Sequence, residues 1–226
     1  MKYNLWKVVV VMFIMIMGVK MAQAVDNTPP PEALDAAKAA IGAFLGNADQ
    51  EELAKFGFNN HEEFKNAYIG DGFKVYFLHP GTVLNTIHAS SLLSIAIDTN
   101  NWQFLILSIR GVACLVTVDY IDNQWIAVSV GGAGLAKQLH EMIQTWPKSG
   151  GYEVALIKSL QAKSDFLEVY QDKKQIGIVP LTSANIALNR ANGENTMMLK
   201  ADDILETLSP VVKQNLIQFG AKDRLK

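Results

Sequence analysis

The residues best suited to chemistry lie in IAVSVGGAGLAKQLHEM, residues 126–142, where an apolar segment runs through three glycines into a helix-like segment. Gly131, Gly132 and Gly134 would leave the first amides of that helix uncovered, and such amides can bind an anion. Lys137, in the first turn of that helix, could assist in binding the anion. The pattern completes neither a dinucleotide fingerprint, which needs a small residue where Lys137 stands, nor a phosphate-binding G-K-[ST] loop. We therefore interpret the stretch as a structural corner, with a possible anion-binding turn as the alternative.

Cys114 is the single cysteine of the chain and the first candidate for thiol catalysis. A catalytic thiol usually lies at a strand end or a helix start, where positive charge stabilises the thiolate. Cys114 instead lies in the middle of an apolar, strand-like segment, on the same side as Val112, Val116 and Val118. This position is typical of a buried and inert thiol. A lone cysteine also excludes an internal disulfide bond, so the apolar core must stabilise the fold.

The other polar residues complete no known metal or hydrolase pattern. The two His–Glu pairs, at residues 61–62 and 140–141, lack the second histidine that H-E-x-x-H requires. The Asp-Thr-Asn-Asn stretch at residues 98–101 lacks the glycine and the distal glutamate of a calcium loop. No serine lies in a G-x-S-x-G elbow. We therefore predict no metal site, no cofactor and no catalytic residue.

The first 24 residues have the features of an export signal. Lys2 and Lys7 precede an apolar run at residues 8–19, and Ala-Gln-Ala at residues 22–24 matches an A-x-A cleavage site. The run is too short to cross a bilayer, which needs about 20 residues. We expect cleavage after residue 24, a flexible proline-containing leader at residues 25–31, and no stable membrane span afterwards. The expected location is periplasmic or secreted, in a bacterium.

Charge argues against nucleic acid and anionic membranes as partners. The chain of 226 residues is 50% hydrophobic and 19% charged, which is typical of a globular protein. The signal holds three of the 20 basic residues and no acidic residue, so 17 basic and 22 acidic residues remain after cleavage, a formal charge of −5. Both excluded partners reward dense clusters of Lys and Arg, and the sequence contains no such cluster.

Hydrophobic periodicity predicts an α+β fold, with short N-terminal helices, antiparallel β-meanders flanking a central helix, and C-terminal helices. Pro31, the pair Asp49 and Glu52, and the pair Asn60 and Glu63 are helix-start signals. The third of these helices is expected to reach Tyr68. The predicted strands are residues 73–78, 92–97, 102–109, 112–120 and 124–130 before a helix at 133–146, and 152–159, 166–170 and 175–179 after it.

Residues 32–226 are expected to form a single α+β domain, with a possible subdivision near residues 147–151, where proline and glycine cluster. Residues 182–200 show no clear pattern. Asp203 with Glu206 predicts the start of a final helix, and Ser209-Pro210 predicts a break and restart. The apolar residues 205, 208, 212, 216 and 219 favour docking on the sheet over an exposed partner-binding face.

The sequence therefore favours an exported, non-catalytic protein that binds a protein partner or a small ligand. Two alternatives stay open. The first is a secreted hydrolase with an unidentified active site, for which the Cys114 thiol is the first candidate. The second is a carrier that holds an apolar ligand in a cavity between helix and sheet.

Overall fold

The computed structural model describes residues 28–190 and 197–223, with side chains to residue 218. The predicted signal at residues 1–24 lies outside the described residues, as do the first three residues of the leader. The helices of the described part are α1 (Pro31–Leu45), α2 (Gln50–Lys55), α3 (His61–Lys65), α4 (Pro80–Asn85), α5 (Ala133–Thr145), α6 (Thr182–Ala187) and α7 (Ala201–Asp223). The strands are β1 (Tyr68–Phe77), β2 (Ile97–Ser108), β3 (Gly111–Ile121), β4 (Gln124–Gly131), β5 (Tyr152–Ser159), β6 (Ser164–Gln171) and β7 (Lys174–Pro180).

The start of α2 follows directly from local sequence. The Asp49 side chain accepts a hydrogen bond from the Glu52 amide at 2.8 Å, and the Glu52 carboxylate accepts one from the Asp49 amide at 3.1 Å. The predicted capping box is therefore confirmed, and it satisfies two amides that the helix itself leaves unpaired. Helix α1 begins at Pro31 and packs through alanines, whose small side chains allow a close approach to the sheet: Ala33, Ala37 and Ala40 are buried.

The seven strands form one mixed sheet in the order β4-β3-β2-β1-β5-β6-β7. The central strands β1 and β5 run parallel, with Val75 opposite Leu156 and Phe77 opposite Lys158. Every other neighbouring pair is antiparallel. The α+β class is thus confirmed, but the expectation of antiparallel pairing throughout is wrong at β1 and β5. The strands on both sides of residues 147–151 belong to this one sheet.

The two faces of the sheet are covered by different helices. On one face, α1 packs over β2 to β4 around Phe104 and Val116, and α7 packs over β5 to β7 around Ile157 and Phe166. On the other face, α5 packs through Leu139 and its neighbours. Period-two alternation along each strand sends side chains to both faces, so both acquire an apolar core.

Two local predictions before β2 are corrected. Helix α3 ends at Lys65, and Tyr68 already belongs to β1. The segment expected to be a strand at residues 92–97 contains a short 3-10 turn, Leu93–Ile95, and β2 begins only at Ile97. Residues 92–96 join no ladder; the Leu93 amide instead donates to the Glu168 side chain of β6, and this tertiary contact overrides the strand-like apolar pattern.

Helix α7 contradicts the predicted break at Ser209-Pro210. It begins at Ala201, before the predicted cap at Asp203, and continues through Pro210. Proline removes one backbone donor within a helix. Here Pro210 is exposed, so water can satisfy the carbonyl group left without that donor, while Leu208 and Val212 are buried on either side of the proline. Docking on the sheet is confirmed for Leu205, Leu208 and Val212. It is wrong for Leu216, which is exposed, and the predicted side chain at residue 219 lies outside the described part.

Candidate functional site

An irregular segment held by polar contacts from other elements runs from residue 86 to residue 96, between α4 and β2, and is called the connector below. It lies on the sheet face that α7 also covers. Leu92 of the connector is fully buried in the apolar cluster of that face. Polar contacts from β6 and α7 fix the segment on either side of Leu92. Loops held by a rigid scaffold are the usual carriers of binding residues.

Glu168, in the middle of β6, provides the central anchor. Its side chain is fully buried. One carboxyl oxygen accepts the Leu93 amide at 2.9 Å, and the other accepts the Tyr170 hydroxyl at 2.8 Å. The Tyr170 hydroxyl in turn lies 3.5 Å from the Ser91 hydroxyl. The Glu168 carboxyl group, together with Tyr170 of the same strand, therefore connects β6 to Ser91 and Leu93 of the connector.

Burial dominates the electrostatics of this cluster. It raises the pKa of Glu168, against the opposing effect of the hydrogen bonds from Ser91, the connector amides and Tyr170. Burial also raises the pKa of Tyr170, and the neighbouring Glu168 charge raises that pKa further. A protonated Glu168 can donate to Tyr170, which can then donate to Ser91, so the same atoms satisfy either protonation state. Buried acids whose pKa is shifted by burial and by specific partners mark candidate functional sites.

Asp202, in the first turn of α7, is the second anchor of the connector. One of its oxygens accepts the Ala89 amide at 2.8 Å, and the other lies 3.4 Å from Nδ1 of His88. The Ala89 amide is the main cause of a lowered pKa at Asp202, and His88 lowers the pKa further. The connector is thus fixed at residues 88–89 by a helix and at residues 91–93 by a strand.

The anchored connector presents an apolar side chain to solvent. Ile87 is 82% exposed, the largest exposed fraction among the large hydrophobic residues whose side chains the structure describes. Leu84 in α4 and Ile97 at the start of β2 are exposed aliphatic residues that flank the connector. Exposed apolar side chains on a held loop are suited to docking a partner, although singly scattered ones are common on any surface.

The predicted anion-binding turn has the geometry of a tight corner. Gly132 caps α5 with φ 68°, Gly131 has φ 154°, and no side chain caps the helix. The backbone at Gly132 is left-handed, which glycine adopts without a steric penalty. Gly134 lies inside α5, and Lys137 is exposed on the same helix. This turn is separate from the connector, and anion binding there stays a prediction.

Cys114 lies within β3 in the apolar cluster beneath α1 and is fully buried. Burial raises the pKa of its thiol to about 12. A thiol with such a pKa is almost entirely protonated at neutral pH, and the thiolate is the nucleophilic form. The structure brings no histidine into hydrogen-bond contact with Cys114 in the part of the chain it describes.

A second buried carboxylate, Glu63 in α3, has a structural environment. It accepts the Ser108 hydroxyl at 2.7 Å, and the amide and side-chain nitrogens of Asn59 at 2.8 Å each. The Ser108 and Asn59 hydrogen bonds lower the pKa of Glu63. The Glu63 carboxylate therefore has hydrogen-bond donors for both of its oxygens, and it connects α3 to the end of β2. Asn60 caps α3 as predicted, because its side chain accepts the Glu63 amide at 2.8 Å. The Glu63 side chain does not complete the box and accepts from Asn59 and Ser108 instead.

Within residues 28–190 and 197–223, no three residues among His, Cys, Asp and Glu are grouped closely enough to hold a metal ion. Comparison of the chain with protein-family models, curated proteins and solved structures finds no match. The site must therefore be interpreted from its own chemistry.

Sequence reasoning missed Glu168. The available signal was its alternation with Phe166 and Tyr170 in the strand FLEVY, which places an acid on a face that otherwise carries aromatic residues. The residues that complete the cluster lie more than seventy positions earlier in the chain, and no local pattern connects them to β6.

Proposed function

We propose that this chain is an exported, non-catalytic protein that binds a protein partner through the connector and its exposed Ile87. The observation that carries the proposal is the anchoring of the connector by the buried Glu168. Burying an ionisable group costs free energy, and a buried acid whose oxygens accept hydrogen bonds from another segment can specify one conformation of that segment. Here the specified conformation presents an aliphatic side chain to solvent.

The chemistry of the described residues favours binding over hydrolysis. A thiol hydrolase needs an accessible thiolate, whereas Cys114 is buried and has a raised pKa. The carrier alternative needs space between α5 and the sheet, yet Ala136 and Leu139 of α5 are fully buried among the sheet residues. Neither alternative has an observation that favours it.

Site-specific photo-crosslinking tests the proposal. A photoreactive residue would replace Ile87 in one variant and Ile109 in another, in cells that naturally make the protein. Ile109 is a matched control because it is 77% exposed but lies in the β2–β3 turn, outside the connector. We expect a discrete adduct from position 87 and none from position 109.

A second variant connects the adduct to the anchor. Glu168→Ala leaves the Leu93 amide and the Tyr170 hydroxyl without their acceptor, so the connector should lose its fixed position. The adduct from position 87 should then weaken or disappear while the protein remains folded by circular dichroism. Equal adducts from both positions, or no adduct from position 87, would contradict the proposed binding surface.

A further inference from the structure

The described part of the chain pairs differently with the two edges of the sheet. On the β7 edge, Ile178 and Leu199 exchange two backbone hydrogen bonds, at 3.1 and 2.8 Å. The segment before α7 therefore covers that edge. On the β4 edge, no backbone group among the described residues pairs with the free side of the strand. Within the described part of the chain, the free side of β4 thus has backbone donors and acceptors that another strand could pair with.

Strand β4 carries little of the protection that natural edge strands usually have. Its eight residues, QWIAVSVG, include no charged residue and no proline. Ile126 and Val128 are each 41% exposed. Among the described residues of this edge, a bulge at Val128, opposite Thr117 and Val118, interrupts the regular ladder. An uncharged edge of this length can form about eight hydrogen bonds with an antiparallel strand.

The two ends of β4 have opposite electrostatic character. At its start, the turn holds the exposed Asp122. At its end lie the uncapped first turn of α5 and the exposed Lys137. The amino end of a helix carries partial positive charge. A second copy of β4 in antiparallel orientation would bring each acidic end beside a positive end, whereas parallel pairing would bring like charges together.

From this complementarity we propose that β4 pairs with β4 of a second copy of this chain, in antiparallel orientation, so that two sheets join into one. The occupant of the edge is thus the chain itself. The surface is distinct from the connector, and the proposal does not depend on the proposed function.

The bulge fixes the register of the proposed pair. Ser129 and Ile126 pair with Thr117 and Asp119, which are two residues apart on β3 and so lie on one face of the sheet. Ser129 and Ile126 therefore share a face although they are three residues apart. Pairing centred between Ala127 and Val128 uses the whole strand and places Ile126 opposite Ser129 of the second copy, on the same face.

Analytical ultracentrifugation of the chain beginning at residue 25 tests the association. We expect a monomer–dimer equilibrium in the micromolar range. The Ile126→Lys/Val128→Lys variant places a lysine at each of the two exposed positions of β4. It should convert the dimer to monomer without unfolding the protein. Ile176→Lys is the matched control, because Ile176 is also 41% exposed but lies on the covered β7 edge. A monomeric wild type, or a dimer unaffected by the β4 lysines, would overturn the proposal.

Disulfide trapping and charge removal test the register. Residues opposite each other in an antiparallel pair have Cα atoms about 4.5–5.5 Å apart, within reach of a disulfide bond. Oxidised Ile126→Cys/Ser129→Cys should therefore form a covalent dimer, and buried Cys114 should not interfere. Asp122→Asn and Lys137→Gln should each raise the dissociation constant about two- to fivefold. A dimer that forms no crosslink and is insensitive to both charges would contradict this arrangement.

Discussion

At the scale of single residues, the two buried carboxylates have opposite electrostatic roles. Glu63 is surrounded by donors, so hydrogen bonds lower its pKa and the charged form is the stable one. Glu168 has donors too, but burial in an apolar cluster dominates and raises its pKa. Their contributions to stability should therefore run in opposite directions with pH. The stability from Glu63 is lost as the pH falls through its lowered native pKa.

Glu168→Gln should change how stability depends on pH. Below the ordinary pKa near 4.5, Glu168 is protonated in both states. As the pH rises from there to the raised native pKa, the unfolded chain releases its proton first, so the wild type loses free energy of unfolding. Glutamine can accept from Leu93 and donate to Tyr170 without titrating. The variant should match the wild type near pH 4 and exceed it near pH 7.

Urea denaturation of both proteins between pH 4 and pH 8 would measure this difference. Glu168→Ala is the control: its free energy of unfolding should lie about 1–3 kcal/mol below that of Glu168→Gln at every pH, because neither variant titrates at this position and only alanine leaves two buried donors unpaired. A constant difference between the glutamine variant and the wild type across the whole pH range would show that the pKa of Glu168 is the same in the folded and unfolded chains, and would contradict the raised native pKa.

At the scale of elements, the corner between β4 and α5 is determined by backbone conformation. Gly132 adopts φ 68° before the helix, while Gly134 lies in the first turn and a Cβ added there would meet no atom within 4 Å. Gly132 thus provides the backbone conformation of the corner, whereas Gly134 is a residue of the first helical turn. Only the first requires the absence of a side chain.

The two glycines therefore predict opposite effects of alanine. Gly132→Ala should lower the free energy of unfolding by about 1 kcal/mol or more, because a Cβ is poorly tolerated at positive φ. Gly134→Ala should be neutral or stabilising by up to about 1 kcal/mol, because alanine favours a helix over glycine. Thermal or chemical denaturation of both variants measures the difference. Equal effects at the two positions would contradict a corner set by Gly132.

Elements were predictable from sequence where the determining residues are neighbours. The Asp49–Glu52 capping box and the apolar segments of β3 are local signals, and both lie where they were predicted. The continuity of α7 was not predictable, because Leu208 and Val212 keep the helix on the sheet despite Pro210. The connector also escaped prediction, since its conformation depends on Glu168, which comes much later in the chain.

At the scale of the whole molecule, the parallel contact of β1 and β5 determines the architecture. It joins the strands that precede α5 to the strands that follow it, and it places β4 and β7 at opposite edges. No local pattern in the sequence encodes a contact between Val75 and Leu156, which lie eighty-one positions apart. The parallel pairing, and with it the position of each edge, could therefore only come from the structure.

The predicted export concerns the whole chain. The basic and apolar start and the Ala-Gln-Ala pattern at residues 22–24 predict cleavage before Val25. The described helix α1 begins at Pro31, so cleavage would remove no residue of a described helix or strand. Among the described residues, no helix is long and apolar enough to cross a membrane.

N-terminal sequencing of protein recovered from envelope and culture-medium fractions measures this outcome. We expect a chain that begins at Val25, with a formal charge of −5 in place of −2. Substituting Ala22 and Ala24 by large residues should block cleavage, because the processing site accepts small side chains at these positions. The uncleaved chain should then remain membrane-associated through residues 8–19. A full-length chain beginning at Met1 in the cytoplasm of wild-type cells would contradict export. It would also contradict the expected location of the connector's partner outside the cytoplasm.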